Sequence, residues 1–501
     1  MKRPYLAALV AFAALVSCAK SSAPEVPGAT PSSPENRNLR LVGNALPPGS
    51  VFVAPPVDVT NEPGNVFKVT YKPSTVVVDA AIVKNAFRGV EQKGQIWKFD
   101  GSAAQIAHIA PGSVVLFSNL ALLKVNSVQS QDGLTVIGAT PAALTDAIED
   151  GHIHVSHAVD FGTLTAQLDG PARYRPTIVG LMHSMIDAID SPAAADDAFS
   201  GPGSGGFSTQ YKSFNIDVKL KAAPGQLNFQ VEASRDLGGM NLDITGNGHI
   251  SNFTSALDMS VSGGRTSSLR YENRGLSGSV TFTFSGSKDT AGVGTVDPAD
   301  RFLQLPPLAS FPLLESGVPM TIEISTGLLI RPAFTGNNEL ARVQYTVNFN
   351  GDQAATETGG GAPSEVGSIH GGAGLDSAKE LSAIGPLGFV AAMSIPRVDF
   401  KTGINPAGIF GVAEGADWLD FGPTVYTAFI AAGSLTGTGA ATSMLPCHFE
   451  QLILSFKVGV DLNFFGSTWG GPSKVWPVWH RTYIDPPTQG CMRMAKGAEG
   501  Q

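Results

Sequence analysis

Charge is scarce in this chain, and positive charge scarcer. Only 15% of residues are charged, with 33 Lys and Arg against 42 Asp and Glu, for a formal net charge of −9. An acidic chain repels phosphate, which argues against nucleic acid as a partner. Long apolar runs are short too. The unbroken stretch from Leu6 to Val16 falls below the roughly 20 residues a membrane-spanning helix needs. There is no Gly-x-Ser-x-Gly elbow, zinc-ligand spacing, phosphate-binding loop or dinucleotide fingerprint, so the enzymes built on those devices are not indicated. No cofactor is implied, and no fixed-period repeat is visible. Tyr (8) and Trp (5) are few and cysteine numbers three.

What is present begins at the N-terminus. Lys2 and Arg3 precede the apolar run, which ends in Leu15-Val16-Ser17-Cys18. A basic start, a short apolar core and small residues at the cut are the layout of an export signal. The last four residues resemble the lipobox of bacterial lipoproteins. That resemblance implies cleavage before Cys18, lipid on its sulfur (palmitate among the chains) and a membrane anchor. Ala19 is neutral, where an aspartate would resemble an inner-membrane retention signal, so the resemblance favours the outer membrane. Removal of residues 1–17 leaves 484 residues and a net charge of −11, a length suited to two or three domains.

With Cys18 lipidated, Cys447 and Cys491 remain in an oxidising compartment, and a disulfide between them is expected. It would add about 4 kcal/mol by the chain-entropy estimate.

Composition divides the rest. Residues 18–40 carry the lipidated cysteine and a Pro- and Ser-rich tether with almost nothing to bury. Residues 41–190 form a small α+β, β-rich unit. Its apolar β-branched runs are Val51–Val53, Val66–Tyr71, Thr75–Val78, Ile96–Phe99, Val114–Phe117 and Leu122–Val128. Asp132-Gly133 predicts a tight hairpin. Thr140 as cap, Pro141 at the first turn and Gly151 as stop predict a helix between them. The stretch from Pro111 to Ile153 resembles a module that recurs in bacterial exported proteins, with no activity implied. A second helix is predicted at Val179–Ile189.

Residues 191–209 read as a linker. From 210 to 350 apolar residues alternate with polar ones, as in Phe214, Ile216, Val218 and Leu220, which predicts antiparallel strands with one buried face. Further strands are expected at Met320–Ile324, Leu328–Ile330 and Val343–Phe349. Residues 351–374 read as a Gly-rich loop and Leu375–Ile384 as a short helix. Residues 375–495 form a C-terminal β-rich part with the disulfide. The fold class is therefore mainly β, an antiparallel sandwich or curved sheet with a small α+β unit at the N-terminus.

Several constellations carry possible chemistry. In Gly151-His152-Ile153-His154-Val155-Ser156-His157 a strand puts His152 and His154 on one face and His157 on the other. Two imidazoles are a partial metal site without a third ligand at supporting spacing, so no metal is expected. His370-Gly371-Gly372-Ala373-Gly374 resembles an oxyanion stretch of some esterases, but the elbow they require is missing. Ser285-Gly286-Ser287-Lys288 matches Ser-x-x-Lys without companion motifs. Asp399, Glu414, Asp417 and Asp420 surround Trp418, a pattern that suits glycan recognition or paired-carboxylate hydrolysis. Asp417, Trp418 and Asp420 are the binding residues this reading selects, on a loop at 411–424. Trp469, Trp476 and Trp479 suit a sugar platform, an interface or, the leading reading, core packing pinned by the disulfide.

The expected role is binding or structural, at the cell envelope. The membrane is met through the lipid anchor, and an envelope protein, a glycan or a lipid is the ligand. The alternatives are a carbohydrate- or ester-active hydrolase with a non-local site, and a periplasmic lipid carrier.

Overall fold

The computed structural model describes residues 52–91, 95–164, 199, 203–211, 214–236, 240–288, 303–305, 307–334, 339–358, 369–374, 387–403, 412–432, 443–464 and 467–485. The expected leader and tether, Cys18, the helices expected at 179–189 and 375–384, and Cys491 lie outside these residues.

The chain is mainly β, as the alternation requires. Among the described residues three sheets are built. The smallest has six strands in the order Thr75–Val78, Val114–Phe117, Ala121–Gln131, Leu134–Pro141, Ile96–Asp100 and Phe87–Glu91. It is mixed: the first two strands run parallel and the remaining pairs antiparallel. Gln131 pairs with Leu134 around a two-residue turn, with φ of 52° at Asp132 and 78° at Gly133. Positive φ at both central residues is the turn whose twist matches the strands, and Asp-Gly adopts it at low cost.

A ten-stranded sheet follows the order Ser204–Tyr211, Phe214–Ala223, Gln226–Asp236, Met240–Ser251, Arg265–Lys288, Phe253–Ser262, Ile148–Val159 and Val66–Tyr71. Glu339–Thr358 also pairs with Arg265–Lys288, and Ile369–Gly374 pairs with Glu339–Thr358. The nine-stranded sheet runs Phe52–Val53, Ala309–Glu315, Val318–Phe334, Leu387–Thr402, Val412–Ala432, Ser443–Phe464 and Ser467–Asp485, with Val57–Asp58 and Leu303–Gln304 at its side.

The two large sheets share one core. Phe229, Leu257, Tyr271 and Phe282 from the ten-stranded sheet meet Ile322, Ile324, Met393, Val398 and Phe400 from the nine-stranded one. Close approach is needed inside this core. A Cβ on Gly248 would stand 2.0 Å from the Ser279 carbonyl oxygen and 2.8 Å from the Phe229 ring, and Phe229 is its direct cross-strand partner. The ring occupies the space a side chain would fill.

A separate core fills the small unit, with Trp97, Phe99, Val115, Phe117 and Ile137 packed under helices Ala80–Ala86 and Ala104–Ala107. Strand Val114–Phe117 is buried on both faces. Val115 and Phe117 belong to the small core, while Val114 and Leu116 belong to the shared one. Strand alternation therefore cements the small unit to the body.

Four expectations need correcting. The helix after Thr140 is one turn, Leu144–Ala147. Pro141 still pairs with Leu123 and Ile148 already pairs with Tyr71, so two ladders leave only four helical residues between them. The linker ends earlier than predicted, because Ser204–Tyr211 is a strand. The Gly-rich loop at 351–374 is largely strand: Glu339–Thr358 runs through its first part, and Ile369–Gly374, with His370, pairs against Thr346–Gly351; residues 359–368 lie outside the described set. The loop at 411–424 is also strand, within Val412–Ala432. In these last two cases a long neighbouring strand supplies a ladder to which Gly-rich sequence conforms.

Candidate functional site

Among the described residues, three groups of polar side chains on the two large sheets include candidates from the sequence. The first is exposed. Strand Ile148–Val159 aims Ile153 and Val155 into the core, so alternation turns His152 and His154 outward. Asp258 lies directly across from His154 on the next strand. Its two carboxylate oxygens are 3.3 Å from His152 Nε2 and 3.1 Å from His154 Nδ1. The register carries Lys68 beside His152 and Arg270 beside Asp258. Four adjacent strands thus present Lys68, His152, His154, Asp258 and Arg270 to solvent as one row. His157 faces the other way, as predicted, with Nδ1 3.6 Å from Glu62. Among the described residues no three His, Cys, Asp or Glu side chains are grouped to hold a metal ion. Sequence reasoning found the histidines but missed Asp258. The signal was available: Leu257 and Met259 alternate around it, so it faces outward, but its register against His154 is set only by strand pairing.

The second place is a buried ladder of charge. Glu323 pairs across strands with Asp399, and each carboxylate is 1% exposed. Arg397 donates to Asp399 at 3.0 and 3.2 Å, and Lys401 Nζ contacts Glu323. Burial alone would depress the Lys401 ammonium, but the Glu323 and Asp399 carboxylates outweigh it and hold the group above its usual range. These residues alternate with Ile322, Ile324, Val398 and Phe400, which belong to the shared core, so they lie on the opposite face. Two facing carboxylates suggest paired-acid hydrolysis. Here each is instead paired with a cation, Asp399 with Arg397 and Glu323 with Lys401.

The third is Glu414. Its Oε1 accepts from the Leu144 amide at 3.0 Å and from the Thr402 hydroxyl at 3.1 Å, tying the nine-stranded sheet to the one-turn helix of the small unit. Burial pushes this carboxyl above the usual range, the Leu144 and Thr402 bonds oppose the rise, and Asp146 adds to it. The folded state therefore holds the proton to higher pH than the unfolded chain. Stability is greatest below the ordinary carboxylate range and falls as pH rises from there through the raised folded value. Glu414→Gln keeps the accepting oxygen and removes the titration. Its unfolding midpoint should match wild type in acid and exceed it increasingly toward neutral pH. A difference independent of pH would contradict this assignment.

The acids and tryptophan expected to group around 417 lie on two adjacent strands, Leu387–Thr402 and Val412–Ala432. Asp399 and Glu414 have the partners just given. Asp417 pairs with Val398 and Val458, Trp418 with Arg397 and Lys457, and Asp420 with Ser394 and Ser455. The side chains of Asp417, Trp418 and Asp420 are outside the described set, as are those of Trp469, Trp476 and Trp479, whose backbones form strand Ser467–Asp485. Ser285 to Lys288 close strand Arg265–Lys288. Cys447 lies in strand Ser443–Phe464 opposite Ala428.

Residues 59–150 match the family model of a domain of unknown function (DUF8403). That span holds the whole six-stranded sheet with its helices, and it stops two residues before His152. No curated protein and no solved structure matches the chain.

Proposed function

We propose that this is a lipoprotein of the bacterial cell envelope, anchored through Cys18, whose β body is a binding module without turnover chemistry. The observation that carries the binding reading is the exposed row Lys68, His152, His154, Asp258 and Arg270 on four paired strands. Side chains on a paired sheet are held in fixed spacing, which reduces the ordering cost of recognition. The row replaces the 411–424 segment as the surface chosen. Lys68 and Arg270, the latter also bonded to Glu272, suit an anionic glycan or lipid headgroup. The anchoring part rests on Leu15-Val16-Ser17-Cys18 and on the lysine and arginine that precede the apolar run; two or more acyl chains are needed for stable attachment.

Two measurements test the two halves separately. Cys18→Ala should abolish palmitate labelling and release the chain from the membrane fraction, and an unlabelled wild type would end the lipoprotein reading. Purified protein should bind anionic glycolipid vesicles in a salt-sensitive way, and Lys68→Glu with His152→Ala and His154→Ala should weaken that binding about tenfold or more, a change of roughly 1.4 kcal/mol. Repeated turnover of a glycan or ester substrate would replace binding with hydrolysis.

A further inference from the structure

A polar stripe crosses the interior of the ten-stranded sheet where alternation calls for apolar residues. His157 pairs with Ser255, Ser255 with Asn273, and Asn273 with Gln353. His157, Ser255 and Asn273 stand two residues along their strands from core residues, Val155 and Val159, Phe253 and Leu257, and Tyr271, and Gln353 lies four residues along the strand from Phe349. Ser255 and Asn273 are 0% exposed and Gln353 is 1% exposed.

The stripe is only partly satisfied from within. Ser255 Oγ donates to the Tyr271 hydroxyl at 3.3 Å, and Asn273 Nδ2 donates to it at 3.2 Å. That hydroxyl reaches across to the nine-stranded sheet, 3.3 Å from the Val398 carbonyl. Among the described residues neither end of the Gln353 amide has a hydrogen-bond partner, nor has His157 Nδ1, which at 3.6 Å is beyond bonding distance of Glu62. Thr326 Oγ1 is unpartnered as well, two residues along from Ile324, which pairs with Val398.

A buried amide with neither end bonded pays the full desolvation cost of both polar groups. A group in that state calls for a partner that protein atoms do not supply. Cross-strand neighbours on one face stand about 4.5–5.5 Å apart, a gap that one water bridges. The groups on offer are an amide, hydroxyls and an imidazole whose carboxylate neighbour is Glu62. They combine donors with acceptors, and the one carboxylate among them, Glu62, is partly exposed at the His157 end, away from Gln353.

We propose that the stripe from His157 to Gln353 is an internal hydration site, holding ordered water bonded to the Gln353 amide and linking the two large sheets beside Tyr271. The guest is water, an uncharged molecule that donates and accepts at once. It makes the two to four bonds a buried water requires.

The deciding experiment is a crystal structure of the full chain at a resolution that shows ordered solvent, paired with water-to-side-chain-amide NOEs in solution. The expected result is at least one water within hydrogen-bond distance of Gln353 and of a second member of the stripe. A dry amide, or one bonded to a protein group, overturns the proposal. Gln353→Met supplies an independent sign. If water bridges the amide, the variant loses that density and its unfolding midpoint falls. If the amide is dry, removing it raises the midpoint, and the proposal fails. Should the variant not fold, the wild-type density and NOEs still decide.

Discussion

Lys401→Met is expected to cost about 3–5 kcal/mol of stability, read as a shift of the urea unfolding midpoint at unchanged slope. The substitution preserves most of the side-chain volume and removes one charge. What it leaves is the source of the cost. Glu323 and Asp399 face each other on neighbouring strands, both 1% exposed, and Arg397 then stands against both carboxylates. A buried charge without its partner costs several kcal/mol, whereas replacing a whole pair by apolar groups is often close to neutral. The double variant Glu323→Leu with Lys401→Met should therefore be more stable than Lys401→Met alone, since Arg397 and Asp399 remain as a matched pair. Losses that simply add would show that the two groups do not interact.

This ladder was hard to see in the sequence. Val-Pro-Met-Thr-Ile-Glu-Ile-Ser reads as a strand with one apolar and one polar face, and a glutamate on the polar face reads as solvated. Strand period gives the face of Glu323 correctly but says nothing about what covers that face. The charges that meet it, Arg397, Asp399 and Lys401, are more than 70 residues away in sequence. The row around Asp258 has the same history: its histidines were legible because they are local, and its aspartate was not, because register is non-local.

The fold was legible where a single strand carries its own signal. Val66–Tyr71, Thr75–Val78 and Val114–Phe117 are strands at the predicted bounds, and the Asp132-Gly133 hairpin forms with the expected positive φ values. Strand length was the quantity lost. Met320–Ile324 and Leu328–Ile330 belong to one strand, Val318–Phe334, with a register shift between Ser325 and Gly327. A bulge resets the alternation and admits glycine, so the sequence around Gly327 looks like a break. In the same way Val412–Ala432 contains Gly415, Gly422 and Pro423, turn-forming residues that nonetheless stand between two partner strands. Alternation reports burial, and only neighbours report pairing.

Phe99→Ala should destabilise the small unit by about 3–5 kcal/mol while leaving most of the large sheets protected. Phe99 is 0% exposed, stacks on Phe117 with ring centroids 4.5 Å apart, and meets the edge of Phe87 at 5.6 Å. These rings fill a core that shares no residue with the one between the large sheets. Links between the two cores include the two-faced strand Val114–Phe117, Leu122 on the strand beside it, and the Asn119 amide on the Gly317 carbonyl at 2.8 Å. Removing the Phe99 ring leaves all of these backbone links in place. Local opening then becomes cheaper than global unfolding, because cooperative units open separately when few contacts join them. Native-state hydrogen exchange should show amides of Ala121–Gln131 and Leu134–Pro141 losing protection, with those of Phe214–Ala223 and Gln226–Asp236 unchanged. Equal loss in both sets would mean that strand Val114–Phe117 couples the two cores into a single folding unit, and that residues 59–150 do not behave as a module within the chain.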